Sequence, residues 1–172
     1  SVSTVNYLFS LPEKVTGTAK DGVASGVVEL FQGQYLKTQF VVNNSQPNQR
    51  FILPNNGIDT TTIRVNVKES NASTSATEYK LVDNIIGITS TSNIYLIQET
   101  TDEKYEILFG DGIFGAKLDN GNVVDITYIK TEGKAGNGVA RLSFSGVIQD
   151  QDGIDEPDTS TTLNVQIPSE NG

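Results

Sequence analysis

The sequence predicts an all-β protein that is mainly antiparallel and has at most one or two short helices. Apolar and polar residues alternate with a period of two along several segments, which is typical of strands that bury one face. About ten such segments are separated by turns rich in Gly, Asn and Pro, whereas helix signals are sparse. We therefore expect a β-sandwich-like domain, with room for a second, β-rich domain inserted into it.

The first strands are predicted in the N-terminal half. Val23–Leu30 and Tyr35–Val42 are expected to form a hairpin through residues 32–34. Ile63–Val67 alternates in the same way, and Ile94–Ile97 is apolar on both sides, which suits a strand covered on both faces. The remaining strand candidates are Tyr105–Phe109, Val123–Ile129, residues 142–145 and Leu163–Ile167.

One segment carries helix signals. Ser75–Leu81 begins with residues that cap helices well, and Glu78 lies in what would be its first turn. Residues 69–77 are rich in Ser, Thr and Asn, and we interpret them as an exposed loop that overlaps the start of this helix.

Two stretches suggest domain boundaries. The polar stretch Asn43–Gln49 and the glycine cluster Gly133–Gly138 bracket the central part of the chain. Strands within 23–42 and 141–167 would then pair with each other. We predict four parts: an N-terminal arm (1–22), a β-domain (23–48 together with 140–168), an inserted β-rich domain (49–139) and the end of a fragment (169–172).

The composition excludes several classes of function. The 172 residues contain no Cys and no His, so the sequence offers no disulfide, no thiolate chemistry and no histidine-dependent catalysis or metal binding. It has no run of 18 apolar residues and no charged leader, so we expect neither a membrane span nor a signal peptide. A net charge of −9 disfavours nucleic-acid binding. We expect no enzyme and no cofactor.

The most informative stretch is dense in glycine. The strand Tyr105–Phe109 leads into Gly110-Asp111-Gly112, then to Gly115 and to a second turn at residues 119–121. We expect the Asp111 side chain to bond its own backbone, and at least one of these three glycines to hold a conformation closed to other residues. Tyr105–Phe109 is expected to pair antiparallel with Val123–Ile129, with 110–121 as the connection.

Two glycine-rich segments partly match the sequence motifs of nucleotide-binding loops, but they lack other features that those motifs require. Gly110 to Gly115 fits the spacing of a dinucleotide fingerprint, but that motif requires a following helix, and here a turn and a strand follow. Gly133 to Gly138 contains a lysine but lacks the residue order of a P-loop. Both patterns are better interpreted as structural turns.

Acidic residues offer a weak calcium candidate. Oxygen ligands alternate around Gly153, but their spacing is poor and Pro157 stiffens the segment. An exposed acidic loop is the simpler interpretation. The candidate ligands are Asp150, Asp152, Asp155 and Asp158.

Glycoside hydrolysis by paired carboxylates has little support. Asp102, Glu103 and Glu106 have only their charge to suggest it, and nothing in the pattern marks a catalytic pair. We interpret these residues as charges of strand edges and turns.

The glycine-dense stretch also resembles a known family. The order strand-FGDG-x-x-G-x-x-L-x-x-G-N-x-V-x-x-x-Y, followed by further glycines and GN, is similar to the baseplate J-like proteins of contractile phage tails, and among them to the baseplate wedge protein six of T-even phages. The resemblance covers 24–148 well and 149–172 weakly. Its motif residues are Gly110, Asp111, Gly112, Gly115, Gly121, Asn122, Tyr128, Gly133, Gly136 and Asn137.

Upstream segments carry the same resemblance: Arg50–Asn55, Ile58–Thr60, Ile63–Val67 and Ile94–Glu99. The resemblance implies a middle fragment of a longer virion structural protein that is assembled in the host cytoplasm into the tail baseplate. Such proteins encircle the tail hub, contact other wedge proteins and neighbouring copies, and take part in the rearrangement that triggers sheath contraction. We expect the isolated fragment to be a monomer or a weak dimer.

A second interpretation belongs to a different class of function. A carbohydrate- or receptor-binding β-sandwich of a tail fibre or surface protein would have a similar strand content. Such a surface usually presents aromatic anchors in its loops. The chain has no Trp, and its six Tyr and seven Phe lie mostly at strand positions, which favours the baseplate interpretation.

Overall fold

The computed structural model describes residues 6–21, 23–46, 48–133, 137, 139, 141–150, 152–156 and 161–162. The chain divides into two compact units, residues 1–132 and 133–172. The described part contains eleven strands and no α-helix, which confirms the predicted all-β, mainly antiparallel class. In the same residues, no helix has the length and apolar character that a membrane crossing requires.

The first unit contains a small sheet and a large one. The small sheet pairs β1 (Phe9–Ser10) with β2 (Phe31–Gln32). The strands of the large sheet are β3 (Gln34–Val41), β4 (Phe51–Ile52), β5 (Ile58–Lys68), β6 (Thr77–Leu81), β7 (Ile94–Glu99), β8 (Tyr105–Phe109) and β9 (Val123–Lys130). Their spatial order is β3-β9-β5-β6-β7-β8-β4, and every neighbouring pair is antiparallel except β6 and β7.

The large sheet curls so that its two end strands approach each other. Phe40 of β3 and Phe51 of β4 belong to opposite ends of the strand order, yet their rings meet edge to face with centroids 5.6 Å apart. Phe109 and Tyr79 continue the series of edge-to-face contacts. This geometry is favourable for aromatic pairs, so the rings stabilise the curl from inside the sheet.

The concave face of this sheet holds the core. Val124, Ile126 and Tyr128 of β9 are fully buried members of the core cluster. β9 lies between β3 and β5, and residues of its opposite face, such as Val123 and Asp125, are buried as well. Side chains on both faces of β9 are therefore buried, which agrees with the apolar residues Val123 and Ile129 on the face away from the core.

One register shift interrupts the pairing of β5 with β9. The shift lies between Asp59 and Arg64. The buried hydroxyl of Thr62 occupies the gap: it accepts a hydrogen bond from the Ile129 amide (2.9 Å) and donates one to the Asp59 carbonyl (2.7 Å). A side chain thus supplies the partner that the interrupted ladder does not, as a buried amide requires.

The predicted pairing of Tyr105–Phe109 with Val123–Ile129 is wrong. β8 pairs with β7 through the short turn 100–104 and with β4 on its other side, whereas β9 pairs with β3 and β5. The reason lies in the connection, because residues 110–115 close on themselves instead of returning the chain along β8. The chain then continues to the other part of the sheet.

The predicted helix at Ser75–Leu81 is also wrong, because Thr77–Leu81 forms β6. This strand lies between β5 and β7, and its Tyr79 is opposite Val65 and buried in the core. Pairing on both sides and burial of an aromatic ring outweigh the local capping signals, since helix propensity is a weak prior.

The strand predicted at Ile94–Ile97 is confirmed as part of β7, but its expected cover on both faces is wrong. Tyr95 is buried in the core, whereas Leu96 is exposed. Successive side chains of a strand point to opposite faces, so Leu96 lies on the face away from the core.

Two other predicted strands differ from the structure. Val23–Leu30 forms no strand, and most of the Val23 and Val27 side chains is exposed. The predicted hairpin does not form: Gly33 separates β2 from β3, and β2 pairs with β1 whereas β3 pairs with β9. Residues 142–145 are irregular because no neighbouring strand pairs with them among the described residues. The predicted strand Leu163–Ile167 lies outside the described residues.

The predicted domain division stays a prediction. β3, which that division assigns to the outer domain, pairs along its whole length with β9 and so lies in the same sheet as the strands around the glycine-dense stretch. The second unit contains the short pair β10 (Ile148–Gln149) and β11 (Asp155–Glu156).

Candidate functional site

The glycine loop, residues 110–116, folds back on itself. The Gly112 amide donates to the Gly115 carbonyl (3.0 Å), and Gly110 forms a bridge with Lys117. A Cβ on Gly110 would overlap the Gly115 backbone, so the two glycines touch directly. Gly112 and Gly115 have φ of 88° and 81°, which confirms that the loop uses a conformation closed to most residues.

Asp111 organises the tip of this loop. One carboxylate oxygen accepts hydrogen bonds from the amides of Phe114 and Ile113, both at 2.8 Å, which confirms the predicted side-chain turn. These backbone donors, Phe114 first, lower the pKa of Asp111 below its ordinary value of 3.8, because they stabilise the charged form. The ionised carboxylate therefore holds the loop.

A second loop is fastened to the first. The crossover loop, residues 82–93, links β6 to its parallel neighbour β7. Its Thr89 carbonyl accepts from the Gly115 amide (3.0 Å), and its Ser92 carbonyl accepts from the Ala116 amide (2.8 Å). Ile94, at the start of β7, packs so closely that a Cβ on Gly115 would lie 2.6 Å from its side chain. Backbone hydrogen bonds and packing thus join the two loops.

Both loops present apolar side chains to solvent. In the crossover loop, Ile85 and Ile86 are 69% and 85% exposed; in the glycine loop, Ile113 and Phe114 are 84% and 37% exposed. We call these four residues the apolar loop pair. Contiguous exposed apolar side chains are typical of interaction sites, and the hydrogen bonds between the loops place these two pairs on neighbouring segments. Sequence reasoning missed this feature, although the adjacent pair Ile85-Ile86 between Asn84 and Gly87 was a visible signal.

The other motif residues around β9 support the fold. Asn122 accepts from the Asp119 amide (2.8 Å) and donates to the Glu69 carbonyl (3.2 Å), so it ties the turn before β9 to the end of β5. Gly121 has a φ of 88° in that turn. The Tyr128 hydroxyl donates to the Asn55 side chain (2.7 Å) inside the curled sheet. Local backbone geometry and side-chain hydrogen bonds therefore explain why these residue types stand here.

The last motif residues lie at the start of the second unit. Gly133 has a φ of 64° and Asn137 lies in a turn, whereas Gly136 lies outside the described residues.

The acidic segment forms a turn bonded to its own backbone. Asp150 accepts from the amides of Asp152 (2.9 Å) and Ile154 (2.8 Å), and Asp155 accepts from the Gln149 side chain (2.8 Å). Among the residues that the structure describes, no group of three acidic side chains is placed to hold a metal ion. The fourth calcium candidate, Asp158, lies outside them.

Glu106 is held in an ion pair at one end of the sheet. It is buried on β8 and makes a two-pronged contact with Arg50, whose Nε lies 2.9 Å from a carboxylate oxygen. The Arg50 hydrogen bond lowers the pKa of Glu106, and burial opposes this effect only in part. Such a neutralised carboxylate is suited to fastening β8 to the segment before β4. Asp102 and Glu103 are exposed in the turn that precedes β8.

Asp125 is the second buried carboxylate, on the outer face of β9. Burial raises the pKa of Asp125, but the hydrogen bond from Gln39 (2.7 Å) and the ammonium groups of Lys37 and Lys68 (each 3.0 Å) outweigh it, so the pKa is lowered. Two cations and one anion leave this cluster with an excess positive charge, in a chain whose net charge is −9.

Comparison with known proteins agrees with the motif resemblance. Residues 35–133 match the family model of the bacteriophage baseplate wedge protein gp6, third domain, and this range includes both fastened loops and all of the curled sheet except the first residue of β3. No curated protein sequence matches the chain. Because the matched range is more than half of the chain, the chain belongs to the family of the bacteriophage baseplate wedge protein gp6, and residues 35–133 correspond to its third domain.

Proposed function

We propose that residues 35–133 act as a rigid, non-enzymatic assembly module of the baseplate wedge. In this role the module joins other wedge proteins and neighbouring copies of the full-length protein into the ring around the tail hub, after synthesis in the host cytoplasm. The family match supports the structural role in the baseplate. The wedge contacts themselves are our proposal.

The observation that carries this proposal is the apolar loop pair. Ile85, Ile86 and Ile113 are each more than two-thirds exposed, and two backbone hydrogen bonds fasten the loops that bear them. A loop that is already held in place loses little conformational entropy on binding. More of the favourable free energy from burying apolar surface therefore contributes to affinity. A contact that must survive in a large assembly benefits from this.

The chemistry of the buried carboxylates supports the non-enzymatic part. Glu106 is paired with Arg50, and Asp125 with two lysines, and both have a lowered pKa. A general acid needs a raised pKa instead, so that it keeps its proton near neutral pH. Both carboxylates are therefore suited to holding strands together.

The test is a charge placed on the apolar loop pair. In the full-length protein, Ile86→Glu combined with Ile113→Glu should weaken assembly with the other wedge proteins at least roughly tenfold, because two buried apolar contacts are lost. Assembly is measured by analytical size exclusion of the mixed wedge proteins. The melting temperature should change little, since both side chains are exposed in the isolated domain.

Val27→Glu is the matched control, because Val27 is 78% exposed but lies outside both loops. If the double variant assembles as well as the unaltered protein, the loop pair is not the contact. If Val27→Glu weakens assembly equally, added charge alone explains the effect.

A further inference from the structure

β3 has an outer edge, on the side away from β9, and the backbone amides and carbonyls in the middle of this edge are available for hydrogen bonding. β3 pairs only with β9 among the described strands and forms one end of the seven-strand order. Val42, which follows β3, both donates to and accepts from the turn before β9 (2.8 and 2.9 Å). The even-numbered residues of β3 therefore direct their backbone groups towards β9, and the odd-numbered residues direct theirs away from it.

Both ends of this outer edge are occupied. At one end, the Gly33 amide donates to the Leu8 carbonyl (2.8 Å) and the Gly33 carbonyl accepts from the Ser10 hydroxyl (2.8 Å). At the other end, the Gln49 side chain donates to the Val41 carbonyl and accepts from the Asn43 amide, both at 2.8 Å. Gln49 thus takes the place of one peptide group of a neighbouring strand.

The backbone groups of Tyr35, Lys37 and Gln39 lie between these two caps. Among the described residues, no strand pairs with β3 on this side, and the three residues are exposed. An edge of this kind is a template for another strand, since each unpaired amide and carbonyl gains a hydrogen bond when a strand is added. We call residues 35–39 the edge window.

We propose that the edge window binds an extended, acidic segment of a partner protein as an added strand. The partner is a different polypeptide whose side chains alternate between apolar and polar, with a carboxylate opposite Lys37. Two features of the window select this chemistry: its partly buried inner face and its positively charged outer face.

The inner face selects apolar side chains. Within the window, Leu36 and Thr38 point to the core side and are only partly buried; Leu36 packs against the core cluster, and the hydroxyls of Thr38 and Tyr128 are hydrogen-bonded (3.1 Å). Side chains of an added strand that lie opposite these positions would cover their remaining exposed area, because directly opposite residues share one face of a sheet.

The outer face selects a carboxylate and rejects a second copy. Lys37 shares Asp125 with Lys68, so this cluster of three side chains has one positive charge in excess. Two copies paired edge to edge about the centre of the window would place Lys37 against Lys37, which is unfavourable for like charges directly opposite each other. An acidic strand in the same place would complete the charge balance.

The experiment uses short synthetic peptides and amide resonances. The probe is the end-blocked peptide Thr-Val-Glu-Val-Thr, which is symmetric and therefore fits either strand direction. Adding it to the chain should shift the amide signals of Tyr35, Lys37 and Gln39 saturably and slow their hydrogen exchange several-fold, while the signals of Leu36 and Thr38 change less. The peptide Thr-Val-Lys-Val-Thr should bind roughly five-fold more weakly, given the strength of such charge pairs.

Two further substitutions sharpen the test. Tyr35→Pro removes an outward amide at a position where an edge strand tolerates proline, and should abolish binding; Tyr35→Thr keeps the amide and should retain it. Lys37→Gln should make both peptides bind equally. Melting curves of all variants confirm that the fold is retained, and Lys37→Gln remains informative if Tyr35→Pro does not fold.

Several results would overturn the proposal. The edge is not an acceptor if neither peptide shifts these amides, or if Tyr35→Pro and Tyr35→Thr bind alike. It is already occupied if the three amides are protected before any peptide is added. A dimer in analytical ultracentrifugation that Tyr35→Pro dissociates would show a second copy as the occupant, whereas we expect a monomer, or at most a weak dimer that Tyr35→Pro leaves unchanged, at tens of micromolar.

Discussion

At the scale of single residues, Thr62 shows how one hydroxyl holds two strands together. Its side chain is 1% exposed and bonds both the Ile129 amide and the Asp59 carbonyl at the register shift between β5 and β9. In the sequence it is the last of three consecutive threonines, which differ only in their places along the strand. Only the position of β9 makes it different from its neighbours.

We expect Thr62→Val to lower the free energy of unfolding by about 1–3 kcal/mol, because the Ile129 amide would be buried without a partner. The valine has nearly the same shape, so packing is preserved. Chemical denaturation measures the change. Thr61→Val is the matched control: Thr61 is exposed and its hydroxyl donates only to the partly exposed Asp59 carboxylate (2.7 Å), so its substitution should alter stability by less than about 1 kcal/mol. Equal losses in both variants would contradict this role of Thr62.

At the scale of elements, the glycine loop is a connection that an ordinary turn cannot replace. Gly110 and Gly115 touch through their backbones, and Asp111 caps the tip. The closure of this loop sends the chain away from β8 and leaves β9 to pair elsewhere in the sheet. The same closure presents Ile113 and Phe114 on a loop that is fastened to the crossover loop.

Two glycines of similar backbone conformation separate the effects of strain and crowding. Gly115 has a φ of 81° and a Cβ there would meet Ile94 at 2.6 Å, whereas Gly121 has a φ of 88° and open space around it. Gly121→Ala should therefore cost about 1–2 kcal/mol from backbone strain alone. Gly115→Ala should cost at least about 1 kcal/mol more, because overpacking adds to the strain.

The two alanine variants are compared by thermal and urea unfolding. The difference between them matters more than either value, since both replace glycine in the left-handed region. If Gly115→Ala is no more destabilising than Gly121→Ala, Ile94 moves aside easily and the two loops are less firmly joined than the contacts indicate.

At the scale of the whole molecule, acid should destabilise the fold through three carboxylates. The pKa values of Glu106, Asp111 and Asp125 are all lower in the folded chain than their ordinary values of 4.5, 3.8 and 3.8. A carboxyl group whose pKa is lower in the folded chain than in the unfolded chain stabilises the fold when it is ionised. This contribution is complete at pH values above the unfolded pKa. This stability is lost as the pH falls through the folded values, so the melting temperature should fall below about pH 4.

A single variant isolates one contribution to this acid sensitivity. Asp111→Asn keeps an oxygen that accepts from Ile113 and Phe114 but removes the titrating charge, so its melting temperature should fall less steeply below about pH 4 than that of the unaltered chain. Relief of repulsion in a chain of net charge −9 acts in the opposite direction, and it is nearly the same in both proteins. Parallel pH profiles would contradict the role of the ionised Asp111.

The sequence by itself determined the fold class, the family and the local chemistry of the glycine loop. Alternation identified β5, β8 and β9, since a strand with a buried face has a period of two whatever its partners are. The Asp111 turn and a positive φ for at least one of Gly110, Gly112 and Gly115 were also predicted, because they depend on neighbours within a few residues. The family match to residues 35–133 agrees with the motif found there.

The tertiary structure alone decided what depends on contacts between distant residues. It made Thr77–Leu81 a strand, because β5 and β7 lie on either side and bury Tyr79. It separated β8 from β9, and it placed the apolar loop pair and the capped edge of β3 at the surface. Strand pairing and exposure depend on which distant segments become neighbours, and a local pattern contains no information about partners far along the chain.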